Sequence, residues 1–147
     1  GAPYWDDSAK GIITGLTLGT KKEHIVRATE ESIAYQINDI LERMQNDSGV
    51  TLAQLRVDGG PTRDKFLMQF QSDISNTKVV VPEVEELSAL GSANMAGLAM
   101  GFWKSRSEIE QKRSVLAEFV PLMIEKDRIK NKKGWSDAIN RALTKKA

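Results

Sequence analysis

Two hydrophobic periodicities alternate along this chain, and the alternation limits the folds open to it. Ile33, Ile37, Ile40, Leu41 and Met44 follow helical spacing and share one helix face. Phe66, Leu67, Phe70 and Ile74 do the same further on. Between these helices, Leu52 to Val57 alternates like a short strand. Val79-Val80-Val81, stopped by Pro82, has the composition of a buried strand. Gly11-Ile12-Ile13-Thr14-Gly15-Leu16 is also strand-like, inside a turn-rich stretch over 1–19. A glycine- and alanine-rich helix is predicted from about Ser88 to Trp103, followed by a mainly helical tail from Glu108 with a turn near Pro121. Strands alternating with helices predict an α/β layer with parallel strands and right-handed crossovers.

Punctuation supports these boundaries. Thr20 and Glu23 have capping-box spacing at the start of the first helix. Asn46-Asp47-Ser48-Gly49 ends it, with Gly49 free to take positive φ. Pro61 suits the first turn of the next helix, and Ser75-Asn76 closes that helix.

The 147 residues are one domain's worth of chain, enough to bury roughly 70% of the surface that the unfolded chain exposes. With no cysteine, disulfide scaffolds, cysteine-ligated zinc and thiol catalysis are excluded. The single histidine, His24, leaves no multi-histidine metal site; in the first turn after a cap it reads as a surface residue. The net charge of +1 hides an asymmetry: Lys126 to Ala147 carries +6, leaving −5 on the rest. A basic end can bind phosphate or nucleic acid. Trp135, Ala138, Ile139, Ala142 and Leu143 favour a docking face with a solvated basic side, so no nucleic-acid partner is expected. No apolar run reaches the roughly 20 residues of a membrane span, so no membrane partner is expected either. Gly97-x-x-x-Gly101 reads as close packing in a soluble helix. The chain starts Gly1-Ala2-Pro3-Tyr4-Trp5 without an initiator methionine or signal-peptide pattern, and is read as part of something longer.

The stretch that carries chemistry is Leu55-Arg56-Val57-Asp58-Gly59-Gly60-Pro61-Thr62, a strand entering a paired-glycine turn and then a helix. Glycines let backbone approach a ligand closely, and a helix start offers unpaired N–H groups. Ligands of open α/β sheets sit at the carboxyl ends of strands, where this turn falls. Such a turn also serves purely structural ends, so alone it leaves both readings open. Asp58 either approaches a phosphate-bound metal or, the favoured reading, pins the turn by accepting backbone N–H bonds. Glu83, Glu85 and Glu86 could suggest a metal cluster, but just before a helix they read better as dipole partners. Tyr4 and Trp5 could line a cleft; core or interface anchoring is the commoner role of such aromatics.

The hydrophobic-x-aliphatic-x-Gly-Gly-x-Thr string resembles the adenosine motif of the sugar kinase, heat-shock chaperone and actin ATPase superfamily. Further segments resemble the FGGY carbohydrate kinases. These are Gly1 to Asp6, Gly11 to Leu16, Arg27-Ala28-Thr29 with Glu31 to Gln36, Phe66 to Asp73, and Ala89 through Gly101. The likeness runs from Gly1 to about Trp103 and weakly beyond, through Phe119, Pro121 and Trp135. Within the family the branch that phosphorylates glycerol is most similar.

The resemblance implies a ribonuclease H-like, actin-like ATPase C-terminal domain, incomplete at its N-terminal strands, with a helical C-terminal tail. It divides as 1–106, the nucleotide-binding body, and 107–147, the tail of the same domain. It implies ATP and Mg²⁺ as cofactors and a cytoplasmic, homo-oligomeric enzyme. Transfer of the γ-phosphate to a polyol or sugar hydroxyl is the implied reaction. Nucleotide-binding residues carried over are Gly59, Gly60 and Asp64, the last beside the adenine where the family usually has Asn. Ionised Asp only accepts hydrogen bonds, which departs from that pattern. Glu30 departs as well, where the family signature has an apolar residue. No catalytic or metal-ligating residue is assigned, because the base is expected in an N-terminal kinase domain of the same parent chain. Another FGGY sugar kinase, such as a pentulose kinase, or a non-catalytic binding module, are the alternatives.

Overall fold

The computed structural model describes residues 2–144; Gly1 of the first motif and residues 145–147 of the basic tail lie outside the described residues. Three strands, β1 (Gln54–Arg56), β2 (Lys78–Pro82) and β3 (Val115–Phe119), form one sheet in the order β1-β2-β3. Five helices accompany it: α1 (Lys22–Ser48), α2 (Lys65–Ser75), α3 (Leu87–Ala99), α4 (Arg106–Gln111) and α5 (Glu125–Ala142). The β1–α2–β2 unit is the parallel crossover that the alternation predicts, with Leu55 opposite Val79. Val79, Val80 and Val81 are buried as expected. Val79 and Val81 meet Leu67, Phe70 and Ile74 of α2 in the core cluster, joined by Ala34 of α1.

Four local readings are corrected. The tail from Glu108 is mainly helical but contains β3, which pairs antiparallel with β2, Val80 against Glu118. Ala117 and Phe119 pack on the core from this strand, so the edge of β2 imposes an order that a five-residue run does not announce. Gly11 to Leu16 forms no strand, because no neighbouring strand lies beside it among the described residues. The expected Thr20–Glu23 capping box is not made. Thr20 Oγ1 accepts the Thr17 N–H at 2.9 Å, and the cap shifts by one residue, with His24 Nδ1 accepting the Lys21 N–H at 3.2 Å. His24 is otherwise exposed, as read.

The fourth correction concerns α1. Its buried residues are Ala34 and Asn38, while Ile33, Ile37, Ile40 and Met44 remain 37–61% exposed. The small residues are the ones that let α1 approach α2 closely, and the isoleucines lie one residue earlier, rotated off that contact. At its end Gly49 takes φ 68 and donates its N–H to the Gln45 carbonyl, as the sequence foretells.

The tail docks through the face anticipated for it. Trp135 stacks on Tyr35 at 5.1 Å, and its Nε1–H donates to Asp39 Oδ2 at 2.7 Å. The Tyr4 hydroxyl donates to the same oxygen at 2.9 Å, so one carboxylate joins α1, α5 and the N-terminal turn. Burial and Asp39 push the Tyr4 pKa up to about 12; burial and Glu31 do the same for Tyr35. Tyr4 is thus an anchor, whereas Trp5 stays 71% exposed. Asp73 Oδ1 accepts the N–H groups of Leu122 and Met123 at 2.6 and 3.1 Å, fixing the start of the last connection against α2. Arg128 returns a bond to the Asp73 carbonyl at 2.8 Å. Among the described residues no helix is long and apolar enough to cross a membrane.

Candidate functional site

The paired glycines leave β1 at its carboxyl end. The Val57 N–H still bonds the Val80 carbonyl at 3.1 Å, so the strand order persists to the residue before Asp58. Gly59 then adopts φ 85 and ψ 176, a region that essentially only glycine enters. Gly60 begins a single 3-10 turn, Gly60–Arg63, with Pro61 in its first positions as predicted. A Cβ placed on Gly60 would meet nothing within 4 Å, so the space over this residue is open.

The turn is held from both sides. The Gly59 carbonyl accepts from the Thr62 N–H at 3.1 Å and the Thr62 hydroxyl at 2.7 Å. The Gly59 N–H donates to the Glu85 carbonyl at 3.2 Å, and Arg63 pairs with the Glu85 carboxylate at 2.7 Å. That partnership raises the Arg63 pKa further above its ordinary value. The carboxyl ends of β1 and β2 are therefore tied into one lip. Thr62, Arg63 and Glu85 are the supports that sequence reasoning missed. Thr62 lay within reach, being a hydroxyl three residues beyond the turn's first glycine. The Arg63–Glu85 pair spans 22 residues and has no local signature.

Asp58 does not pin the turn, as favoured from sequence. It is exposed and makes no hydrogen bond among the described residues, because Thr62 already occupies the Gly59 carbonyl and Glu85 takes the N–H. Asp64 stands at the far end of the 3-10 turn as the N-cap of α2, with Oδ1 accepting the Leu67 N–H at 3.0 Å. Its Oδ2 makes no hydrogen bond. The structure thus brings Gly59, Gly60 and Asp64 onto one short turn, with Asp64 committed in part to the helix. Glu83 and Glu86 make no such tie; Glu86 is the N-cap residue of α3 without a side-chain bond. Among the described residues, no group of three or more His, Asp or Glu could hold a metal ion.

A groove of about 810 Å³ lies on the opposite face of the sheet, between Val80 and α3, lined also by Arg56, Leu90, Trp103 and Ile109. Neither glycine of the turn lines it. The turn is an open lip, with no enclosing wall supplied by this chain.

Comparison with known proteins fits a lip of this kind. Residues 1–100 match the model of the FGGY family of carbohydrate kinases, C-terminal domain. The chain belongs to the FGGY family. A glycerol kinase of Pasteurella multocida is 58% identical over 97% of this chain, and one of Caldanaerobacter subterraneus 55% over the same share. The FGGY chain described here spans only 28% and 29% of those relatives' lengths. The crystal structure of Plasmodium falciparum glycerol kinase with ADP superposes with a TM-score of 0.89 at 39% identity, covering 99% of this chain and 29% of that one. A ligand-bound xylulose kinase from Lactobacillus acidophilus follows at TM-score 0.75 and 26% identity, covering 96% of this chain and 29% of its own. The actin-like, ribonuclease H-like fold class of the FGGY kinases is therefore the fold of this chain.

Proposed function

We propose that this chain is the C-terminal, ATP-binding part of a glycerol kinase, with 1–106 as the nucleotide-binding body and 107–147 completing the same domain. The observation that carries the reading is the open space over Gly60 on a turn that only glycine can build, in a chain of this family. Gly59 and Gly60 would let the nucleotide phosphates approach the backbone. Asp64, through its free Oδ2, would accept from the adenine amino group. An accepting carboxylate suits an amine and repels a 6-oxo purine.

The parent reaction would be glycerol and ATP giving glycerol 3-phosphate and ADP. Mg²⁺ accompanying the nucleotide would neutralise developing charge on the transferred group. Asp58, the carboxylate at the turn without another partner, is the residue of this chain suited to meet it. The base that accepts the hydroxyl proton is assigned to the remainder of the parent, as are the acceptor pocket and domain closure. A cytoplasmic, homo-oligomeric parent accompanies the reading.

Calorimetry of the 147-residue chain with ATP and Mg²⁺ tests it. Saturable binding that Gly60→Val abolishes is expected; absent binding, or binding unchanged by Gly60→Val, overturns the nucleotide assignment. The xylulose kinase likeness supports a pentulose as second acceptor candidate. A glycerol-versus-xylulose panel on a full-length enzyme carrying this domain separates the two.

A further inference from the structure

Helix α1 is covered on two sides and bare on a third. Ala34, Asn38 and Leu41 turn toward α2, while Tyr35 and Asp39 meet α5 through Trp135. The remaining apolar row, Val26, Ile33, Ile37, Ile40 and Met44, is exposed. At about 100° per residue this row lies roughly 100° from the α2 face and roughly opposite the α5 face. Since α5 lies outside α1, the row points inward, to the level at which a sheet would lie.

The sheet itself stops short of that level. α2 packs over β2 and β3. β1 pairs with β2 along one edge and has no partner along the other among the described residues. Helices packed side by side on a sheet stand about 10 Å apart and strands about 4.8 Å, so a helix beside α2 covers about two further strands. α1 is that helix, and its Ala34 shares the core with Leu55 and Val57 at β1. An all-isoleucine row over an open strand edge is a cover without its floor. Relatives supply the candidate for the floor, because this chain spans only 28% of the Pasteurella enzyme's length.

The geometry points to a specific docking seam: the free edge of β1 and the Ile33–Met44 row of α1 together receive strands from the remaining part of the kinase, which extend the sheet beyond β1 and pack beneath α1. Residues 11–16, extended and unpaired, with Ile12 and Ile13 exposed, lie ready to pair with the same added sheet. This inference rests on the proposed kinase reading for the identity of the occupant, but its test reads burial and not turnover.

The chain has no cysteine, so single-cysteine probes are clean. Ile37→Cys and Ile40→Cys are compared with Ile129→Cys, on the exposed side of α5, for the rate of thiol labelling at each site read by mass spectrometry. In the isolated chain all three label rapidly. In a chimera where this chain replaces the matching part of the Pasteurella glycerol kinase, positions 37 and 40 slow at least tenfold while 129 does not. Equal labelling at all three positions in a chimera whose Val79–Val81 amides stay protected from exchange overturns the seam. Protection of 37 and 40 in the isolated chain that grows with concentration, with a dimer in light scattering, assigns the row to a second copy and also overturns it. Should the chimera not fold, Ile37→Lys with Ile40→Lys in the isolated chain decides. An unchanged thermal midpoint supports a bare row; a large drop shows the row already covered and sinks the idea. A chimera that protects 37 and 40 yet phosphorylates no glycerol counts against the proposed function and leaves the seam standing.

Discussion

Gly59 and Gly60 are adjacent and alike in sequence, yet they do different work. Gly59 sits at φ 85 and ψ 176, so Gly59→Ala should destabilise the fold by about 2 kcal/mol through backbone strain. Gly60 has no such strain and open space beside it, so Gly60→Val should leave urea stability within about 0.5 kcal/mol while removing nucleotide binding. Paired denaturation and calorimetry on both variants separate structural from binding loss. Gly97 is a third case. A Cβ there would meet the Trp103 indole at 2.6 Å, and Lys112 stacks on that ring at 4.8 Å. Gly97→Ala should therefore displace Trp103, costing about 1 kcal/mol and shifting the tryptophan emission toward longer wavelength. Sequence marked Gly97 as close packing; only the structure identifies the indole as what it packs against.

At the scale of elements, polar side chains fasten the outer pieces to the core. Asp73 on α2 holds the Leu122 and Met123 N–H groups and also accepts from Gln69 at 3.0 Å. Asp73→Ala would leave these donors without their charged acceptor, with an expected loss of about 2 kcal/mol in urea denaturation. Proteolysis after 119 should accelerate in the same variant. The docking face of α5 was legible in Trp135 because an aromatic at helical spacing with small apolar residues marks a contact. Its partner, Asp39, was not legible: a carboxylate in mid-helix looks like any solvated residue until the chain returns 96 residues later.

Across the whole molecule, two tyrosines record how the N-terminal turn, α1 and α5 come together. Tyr4 and Tyr35 both have pKa values raised from 10.0 to about 12 in the folded chain. The unfolded chain ionises them near 10, so it loses protons first as pH rises. Their stabilisation is complete below about pH 10 and is lost as pH climbs toward 12. The thermal midpoint should accordingly fall between those limits, and Tyr4→Phe with Tyr35→Phe should flatten the fall. An alkaline limb equally steep in the double variant would count against these two groups as its source. The same variant should be less stable near neutrality, since Tyr4 loses its bond to Asp39.

The sequence by itself determined the local vocabulary. Strand β2 follows from three consecutive valines, the end of α1 from Gly49, and the glycine turn at the end of β1 from Asp58-Gly59-Gly60, because each depends on backbone preference or burial within a few residues. Family membership was legible for a related reason: ordered short motifs survive as strings. Tertiary structure alone decided which apolar residues are buried and which strands pair. The isoleucines of α1 outrank Ala34 and Asn38 in any hydrophobic reading, yet the small pair takes the core because close helix approach favours small side chains. Likewise β3 forms where the open edge of β2 supplies hydrogen-bond partners, and residues 11–16 stay unpaired where no edge is offered. Pairing depends on what lies across space, and a linear pattern carries no record of that neighbour.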